Sequence, residues 1–499
     1  METLLSYDEI IDAAKGFSIS SQKNAFFTSV QTDSRFVTEN TLFVPLMGEF
    51  QNGHKYIPQA IEKGATVIFI NDEEYKNQKS FYEKLADEKK SVLFVIVKNT
   101  LHALQNAAEF YVSKFPDLLK IAVTGSSGKT TIKEMLVSVA KAHFGEEQTV
   151  YTKGNFNSET GLPLSVFQIR KNHKCGIFEM GMNRENEIGE ISAVLKPEFA
   201  IITNIGTAHI GILGSRENIA REKRKIFDYI PEDGAAVVPQ SDDFADFCTE
   251  NVKGKIIKFG KSVDEKISGV KFIKDNGIFG TEFSVDGLNV KLPLSGEYNY
   301  SNALSVVALA RQIGISASEI KKGLENVTFV GGRMEIKSAD LCTDDGKNVK
   351  KVVLIKDFYN ANPDSMKKGI EFAASLSDFN EKVFVLADMK ELGAESKKNH
   401  KEIGEILSKI ILKNDSAVLV YLIGDEMKCA YDVLLPIFQE KQQGFKKLFW
   451  NKENSAEIFN QISEDIKNSV SENSVIMFKG SHSMNLELLC DILQGRKNG

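Results

Sequence analysis

Paired cysteines are missing: the five present, Cys175, Cys248, Cys342, Cys429 and Cys490, are scattered with no CxxC spacing among them. That excludes a disulfide framework and a cysteine-based zinc site, and it suits reduced thiols in the cytoplasm. Excess positive charge is missing too, with a net charge of −6 and a pI near 5.8. Nucleic-acid binding needs a concentrated basic face that releases counterions, so no nucleic-acid partner is expected. No stretch approaches the roughly 18–20 apolar residues that span a bilayer, so no membrane partner is expected either. The opening METLLSYDEIIDAAKGF carries acids where a signal peptide carries positive charge, and it has no long apolar core. Internal repeats and low-complexity segments are absent. What is left is an ordinary globular composition, 42% hydrophobic and 26% charged over 499 residues. That length is too great for one ordinary core.

Three α/β blocks can be drawn. Residues 1–100 open with an amphipathic helix-like stretch, then the strand-like SRFVTENTLFVPLMG, then YIPQAIEKGATVIFI as a helix, a glycine stop and a buried strand. Residues 101–331 begin with the helical LHALQNAAEFYVSKFP. Strand-like KIAVTG, CGIFEMG and FAIITNIG then alternate with helical TTIKEMLVSVAKAHF and ENIAREKRKIFDYI. That alternation predicts βαβ units and a mainly parallel sheet. Short strands and glycine turns follow from about Gly254 to Leu294, then the helical YNYSNALSVVALARQIG. Residues 332–499 carry KVVLIKDFYNANP, KVFVLADM, AVLVYLIG and SVIMFKGS, four β-branched runs between helical stretches, with a turn expected at TDDGKNV. A second doubly wound, Rossmann-like α/β domain is the expected reading.

The stretch KIAVTGSSGKTTIKEML, Lys120 to Leu136, is a short strand, a glycine-serine turn and a helix. In such a loop successive backbone N–H groups curl around phosphates, the lysine adds positive charge, the next hydroxyl ligates Mg²⁺, and the helix N-terminus adds its dipole. Gly125, Ser126, Ser127, Gly128, Lys129, Thr130 and Thr131 fill those places, with Val123 where the usual pattern has its first glycine. An NTP site is expected. Glu179 ends the apolar CGIFEMG, at the sheet edge where ligands sit, and suits either Mg²⁺ or a capping role. His209 follows FAIITNIG in the same way and reads equally as structural or functional. Lys223 stands in NIAREKRKIF, where four basic residues from Arg221 to Lys225 also describe a solvated helix face. Loop asparagines Asn155 and Asn157 in YTKGNFNSETGLPLS are turn formers by default. Arg333 in FVGGRMEI is an always-charged donor suited to a nucleotide or a transferring phosphoryl group, and Asp357 suits a ribose hydroxyl.

The variant loop VTGSSGKTT resembles the ATP loop of the Mur ligases and folylpolyglutamate synthases, which join a carboxylate to an amine through an acyl phosphate. YNANP, LADMKELGAESKKNH and FKGSHSMNLE resemble Mur ligases that add a D-alanyl-D-alanine dipeptide, and TDSRFVTENTLFVPLMGEFQNGHKYIPQAIEKGA resembles a UDP-sugar-binding domain of that family. The DYAHTPD-like and DNPR-like segments of the branch that adds a single third amino acid are absent. The resemblance runs from about Asp33 to about Leu488 in family order.

The resemblance implies a cytoplasmic, monomeric enzyme of peptidoglycan synthesis, tied to cell shape and division. It would join UDP-N-acetylmuramoyl-tripeptide to D-alanyl-D-alanine, using ATP and two Mg²⁺ ions. By the same resemblance Lys129, Glu179, His209 and Lys223 are catalytic. Thr130, Glu179, His209 and Lys223, the last as a CO₂-derived carbamate, hold the metal. Lys225 competes for the carbamate position. Asn302, Arg333 and Asp357 join the P-loop in binding ATP. Ser34, Arg35, Asn155, Asn157, Asn360 and Asn362 contact the other substrates, while Gly48 and His54 support the fold or a loop. Departures from the family pattern are Asn52 for aspartate, Tyr298 for histidine, Lys356 for aspartate, Ala387 for glycine and His482 for arginine. Two rivals stay open: the single-amino-acid branch, and a non-catalytic nucleotide-binding protein on the same scaffold.

Overall fold

Three α/β units follow one another along the chain, each built on its own sheet. The computed structural model describes residues 2–21, 23–48, 51–260, 267–275, 278–328, 331–342, 349–413, 416–440 and 444–496. The TDDGKN portion of the expected turn, and Phe329–Val330 ahead of GGRMEI, lie outside the described residues.

The first sheet has five strands in the order Phe17–Ser18, Leu93–Val97, Ala65–Asn71, Thr41–Phe43, Ser29–Gln31. All its pairings are parallel except that of Phe17–Ser18. The expected strand in SRFVTENTLFVPLMG shrinks to Thr41–Phe43, because Ser34–Phe36 winds into a 3₁₀ turn capped by Asp33. YIPQAIEKGATVIFI folds as read, with a helix at Ile57–Glu62, Gly64 at φ 101° and the buried strand Ala65–Asn71.

The central sheet is wholly parallel, with six strands in the order Lys255–Phe259, Ala235–Pro239, Phe199–Ile202, Leu119–Thr124, Cys175–Glu179, Thr149–Tyr151. Strands covered by helices on both faces read as continuous apolar runs, and KIAVTG, CGIFEMG and FAIITNIG show that signature. Side chains alternate between two cores. Ala122, Phe178 and Ala200 pack on one face, in a cluster that continues through helix Thr100–Ser113 into the first sheet at Phe69 and Val95. Ile121, Val123, Ile177 and Ile201 pack on the other face, against helices Lys129–Phe144 and Glu297–Gln312. An antiparallel sheet of three strands, Ile267–Asp275, Ile278–Val285 and Leu288–Leu292, precedes the latter helix.

The last sheet has the order Glu335–Cys342, Val349–Asp357, Ser474–Lys479, Glu381–Ala387, Ala417–Ile423, Phe445–Asn451, parallel apart from its first strand. The four β-branched runs are its four middle strands. The strand crossover beside Ser474–Lys479 is where ligands sit in open α/β sheets. The ends of Val349–Asp357 and Ser474–Lys479 and the P-loop edge of the central sheet wall one cleft of about 830 Å³.

Candidate active site

The P-loop leaves the middle of the central sheet at Thr124. Gly125 (φ 151°) and Gly128 (φ 82°) make the turn, in backbone conformations that side chains rarely adopt. Neither has room for a Cβ, which would stand 1.8 Å from Thr203 Oγ1 at Gly125 and 2.9 Å from Asn302 Oδ1 at Gly128. Asn302 therefore abuts the loop. Val123 is buried within the strand, so the sharp turn begins two residues after the position where the usual pattern has glycine. Asn204 braces the loop, its backbone carbonyl accepting from the Ser126 N–H (3.0 Å) and its Oδ1 from the Ser127 N–H (2.9 Å).

Glu179, the last residue of its strand, is buried with both oxygens engaged. Oε2 accepts from the Thr130 hydroxyl at 2.8 Å and Oε1 from Asn157 Nδ2 at 2.8 Å. The P-loop hydroxyl, the acid and an expected substrate residue are thus linked before any ligand is considered.

Two lysines share one carbonyl. Lys129 Nζ donates to Gly125 O at 2.7 Å and Lys223 Nζ to the same oxygen at 3.0 Å. Burial lowers the pKa of Lys129, opposed by Glu179 and reinforced by Arg333. Burial pushes Lys223 well below the ordinary lysine value, and Lys129 adds to the push. Lys225 faces elsewhere: it pairs with buried Glu222 at 2.7 Å and donates to Asn186 Oδ1 at 2.9 Å. Of the two lysines that compete in the sequence, the structure turns Lys223 toward the P-loop.

His209 lines the cleft with its backbone in the left-handed region, φ 64°. Its Nδ1 lies 3.2 Å from Glu391 Oε2 but is misaligned for a hydrogen bond and has no such partner among the described residues. Burial holds the imidazole below its usual pKa, and contact with His209 holds Glu391 below the usual carboxylate range. Glu391 also has a left-handed backbone, φ 66°.

The third unit supplies the opposite wall. Arg333 stacks its guanidinium 3.7 Å from the centre of the Tyr359 ring, and its buried Nε has no hydrogen-bond partner among the described residues. His482 sits against Tyr359 at 5.8 Å, and the Tyr359 hydroxyl meets Asn155 Oδ1. Asp357 accepts from the Met334 N–H at 3.2 Å and pairs with buried Lys479. Asn360 Oδ1 caps the Ala361 N–H, and Asn362 caps helix Pro363–Ser375 while its Nδ2 donates to Ser127 Oγ at 3.1 Å. Tyr298 lines the cleft with a buried hydroxyl that lacks a partner among the described residues, and burial raises its pKa well above normal. Lys356 alternates with Asp357 along the strand and does not line the cleft.

Ser34 and Arg35 lie off this cleft. Ser34 Oγ donates to Gln59 Oε1 at 2.7 Å, and exposed Arg35 pairs with Asp33 at 2.6 Å. Gly48 donates its N–H to Gln51 O at 2.9 Å, and buried His54 lies 2.7 Å from Asn52 Oδ1 and accepts from the Asn71 N–H at 3.0 Å. Asn52 also donates to Glu74 at 2.9 Å, so the family's aspartate at this position would set two carboxylates together.

Among the described residues no cluster of three or more His, Cys, Asp or Glu side chains forms a ready-made metal cage. Mg²⁺ keeps several waters and is held by one or two carboxylates plus substrate phosphates. The buried Thr130–Glu179 pair beside the P-loop and the unpartnered His209 Nδ1 fit that mode of binding. Sequence reasoning did not single out Tyr359, Asp364, Glu391 or Lys479, although Tyr359, Glu391 and Lys479 stand in motifs that it quoted and Asp364 directly follows one.

Three stretches match families: residues 27–112 the Mur ligase family catalytic domain, 123–310 the Mur ligase middle domain, and 332–482 the Mur ligase glutamate ligase domain. The chain is 35% identical over 498 residues to UDP-N-acetylmuramoyl-tripeptide--D-alanyl-D-alanine ligase of Treponema pallidum (strain Nichols), covering 98% of this chain and 99% of that one. It is 31% identical to the protein of the same name from Bacillus subtilis (strain 168), covering 92% and 91%. Among solved structures it resembles MurF from Acinetobacter baumannii with a TM-score of 0.81 and 27% identity, covering 99% and 100% of the two chains.

Proposed function

The chain belongs to the Mur ligase family, and from that premise we propose that it joins UDP-N-acetylmuramoyl-tripeptide to D-alanyl-D-alanine, cleaving ATP to ADP and phosphate. The convergence of Lys129, the Thr130–Glu179 pair and Arg333 on one cleft carries this proposal, and the names of the relatives supply the substrates. We divide the chain into a substrate-binding unit (residues 1–100), an ATP-binding unit (101–331) and a Rossmann-like unit (332–499). The enzyme would act as a monomer in the cytoplasm, and through cell-wall synthesis it would serve cell shape and division.

The tripeptide carboxylate attacks the γ-phosphorus of ATP, forming an acyl phosphate as ADP leaves. The dipeptide amine then attacks the acyl carbon, forming the amide as phosphate and a proton leave. A carboxylate nearing a triphosphate meets like charge, and Lys129, Arg333 and the P-loop backbone offset it. Mg²⁺, when bound, neutralises phosphate charge, with Thr130 and Glu179 holding one ion and His209 with modified Lys223 a second. The Lys223 amine adds to CO₂ and releases a proton, leaving a carbamate whose oxygens suit a hard cation. Uncharged amine is the form that adds, and burial at Lys223 favours it. Asn155, Asn157, Asn360 and Asn362 contact the substrates across the cleft, while Ser34 and Arg35 hold the nucleotide-sugar end. Asn302 and Asp357 place the nucleoside.

The test is phosphate release by the full chain with ATP, Mg²⁺ and UDP-muramoyl-tripeptide, with and without D-alanyl-D-alanine. Release that depends on the dipeptide, with pentapeptide product seen by mass, is the expected result. Release with single amino acids but not the dipeptide would place the chain in the other branch, and no release with any acceptor would leave a scaffold.

A further inference from the structure

We propose that Asp364 is a positioning residue that latches the C-terminal unit onto the loop carrying His209. Asp364 stands in the first turn of helix Pro363–Ser375, and its Oδ2 accepts both the N–H (2.9 Å) and the hydroxyl (3.0 Å) of Thr207. Thr207 lies two residues before His209. The neighbouring Gly206 donates its N–H to the P-loop Ser126 Oγ at 2.9 Å. A Cβ on Gly206 would stand 2.4 Å from Asp364 Oδ2, so the carboxylate fills the space that glycine leaves. Asn362, two residues ahead of Asp364, grips Ser127 Oγ at 3.1 Å. One helix start therefore fastens to two adjoining pieces of the central unit, the P-loop and the 204–209 loop, and of its two grips Asp364 is the charged one. Hydrogen bonds to a charged group are about twice as strong as neutral ones, which makes Asp364 the stronger of the two grips.

The second contact of the same interface, Glu391 Oε2 at 3.2 Å from His209 Nδ1, is misaligned and leaves the Nδ1 without a hydrogen bond. The latch thus fixes the backbone on which His209 rides, while Nδ1 of the imidazole makes no hydrogen bond among the described residues. Its catalytic consequence rests on the ligase reading above. Its structural consequence does not, because the contact joins residues of this chain alone.

The experiment compares the full-length chain with Asp364→Ala, Asp364→Asn and Thr207→Val by hydrogen exchange and small-angle scattering of the ligand-free protein, then by ligation kinetics. Asp364→Ala is expected to speed exchange over residues 204–213 at least tenfold and to increase the radius of gyration. It should lower kcat about tenfold with KM for the UDP-substrate within twofold, from the loss of both hydrogen bonds to Thr207. Asp364→Asn, which keeps an acceptor oxygen but not the charge, should restore about half of each loss. Thr207→Val removes only the hydroxyl and should give a smaller change that adds nothing on top of Asp364→Ala. Unchanged exchange and scattering in folded Asp364→Ala would overturn the latch, as would full additivity with Thr207→Val. If the wild-type chain ligates no dipeptide while Asp364→Ala still loosens the interface, the ligase reading fails and the latch stands.

Discussion

Buried lysines are handled in two ways at the two walls of the cleft. On the P-loop wall, Lys129 and Lys223 crowd a single carbonyl oxygen, and among the described residues neither forms an ion pair. On the opposite wall, Lys479, as buried as Lys223 and more so than half-buried Lys129, pairs with Asp357. The central unit neutralises a buried lysine where no ligand is expected: Lys133, one turn along from Lys129, pairs with Glu134 at 2.6 Å and donates to Thr152 O at 2.9 Å. An uncompensated buried ammonium is costly, so its persistence at two adjacent positions marks a place built for an anion or for chemistry on the amine. A compensated one marks scaffold.

Removing a lysine should therefore do different things on the two walls. Lys129→Ala should lower dipeptide-dependent phosphate release by about 10³-fold while leaving the folded state intact, since among the described residues the side chain hydrogen-bonds only a carbonyl that Lys223 also serves. Steady-state kinetics beside a thermal melt checks both halves, and a variant that keeps its turnover would dissolve the distinction. Lys479→Met should instead destabilise the chain by about 3 kcal/mol, because it strands Asp357 in a mostly buried setting. Denaturant unfolding reads that loss, which reverting Asp357 to a neutral residue in the same chain should largely recover.

How much of this was legible in the sequence depends on how local each feature is. The runs KIAVTG, CGIFEMG and AVLVYLIG announce their strands because both faces are mostly buried and apolar. Phe445–Asn451 went unread because it is an edge strand carrying two lysines, and Thr149–Tyr151 because three residues leave no pattern. The P-loop and Glu179 were visible since a loop after a strand fixes its own geometry. The choice between Lys223 and Lys225 was beyond composition: a helix rich in basic residues does not show which one turns inward, and only the Glu222–Lys225 pair decides it. Asp364 and Glu391 act across the cleft on Thr207 and His209, more than 150 residues away in the chain, and periodicity carries no information at that range. The Asn52 departure became intelligible only once Glu74 was seen beside it.

The finest separation of the two lysine classes is a pH dependence of stability. Lys223 in the folded chain gives up its proton well below the ordinary value, while in the unfolded chain it titrates near about 10.4. Between those two points the unfolded chain binds more protons than the folded one, so stability rises with pH across the window and the penalty grows as pH falls. Lys223→Met removes that penalty together with the amine. In CO₂-free buffer the variant should exceed the wild type by about 1 kcal/mol at pH 7, and the advantage should vanish as pH approaches the unfolded value. The same variant should lose turnover, which would separate a stabilised fold from a disabled site. Urea unfolding at several pH values measures the slope: a difference that stays flat with pH, or a Met variant weaker at every pH, would mean that Lys223 is compensated as fully as Lys479.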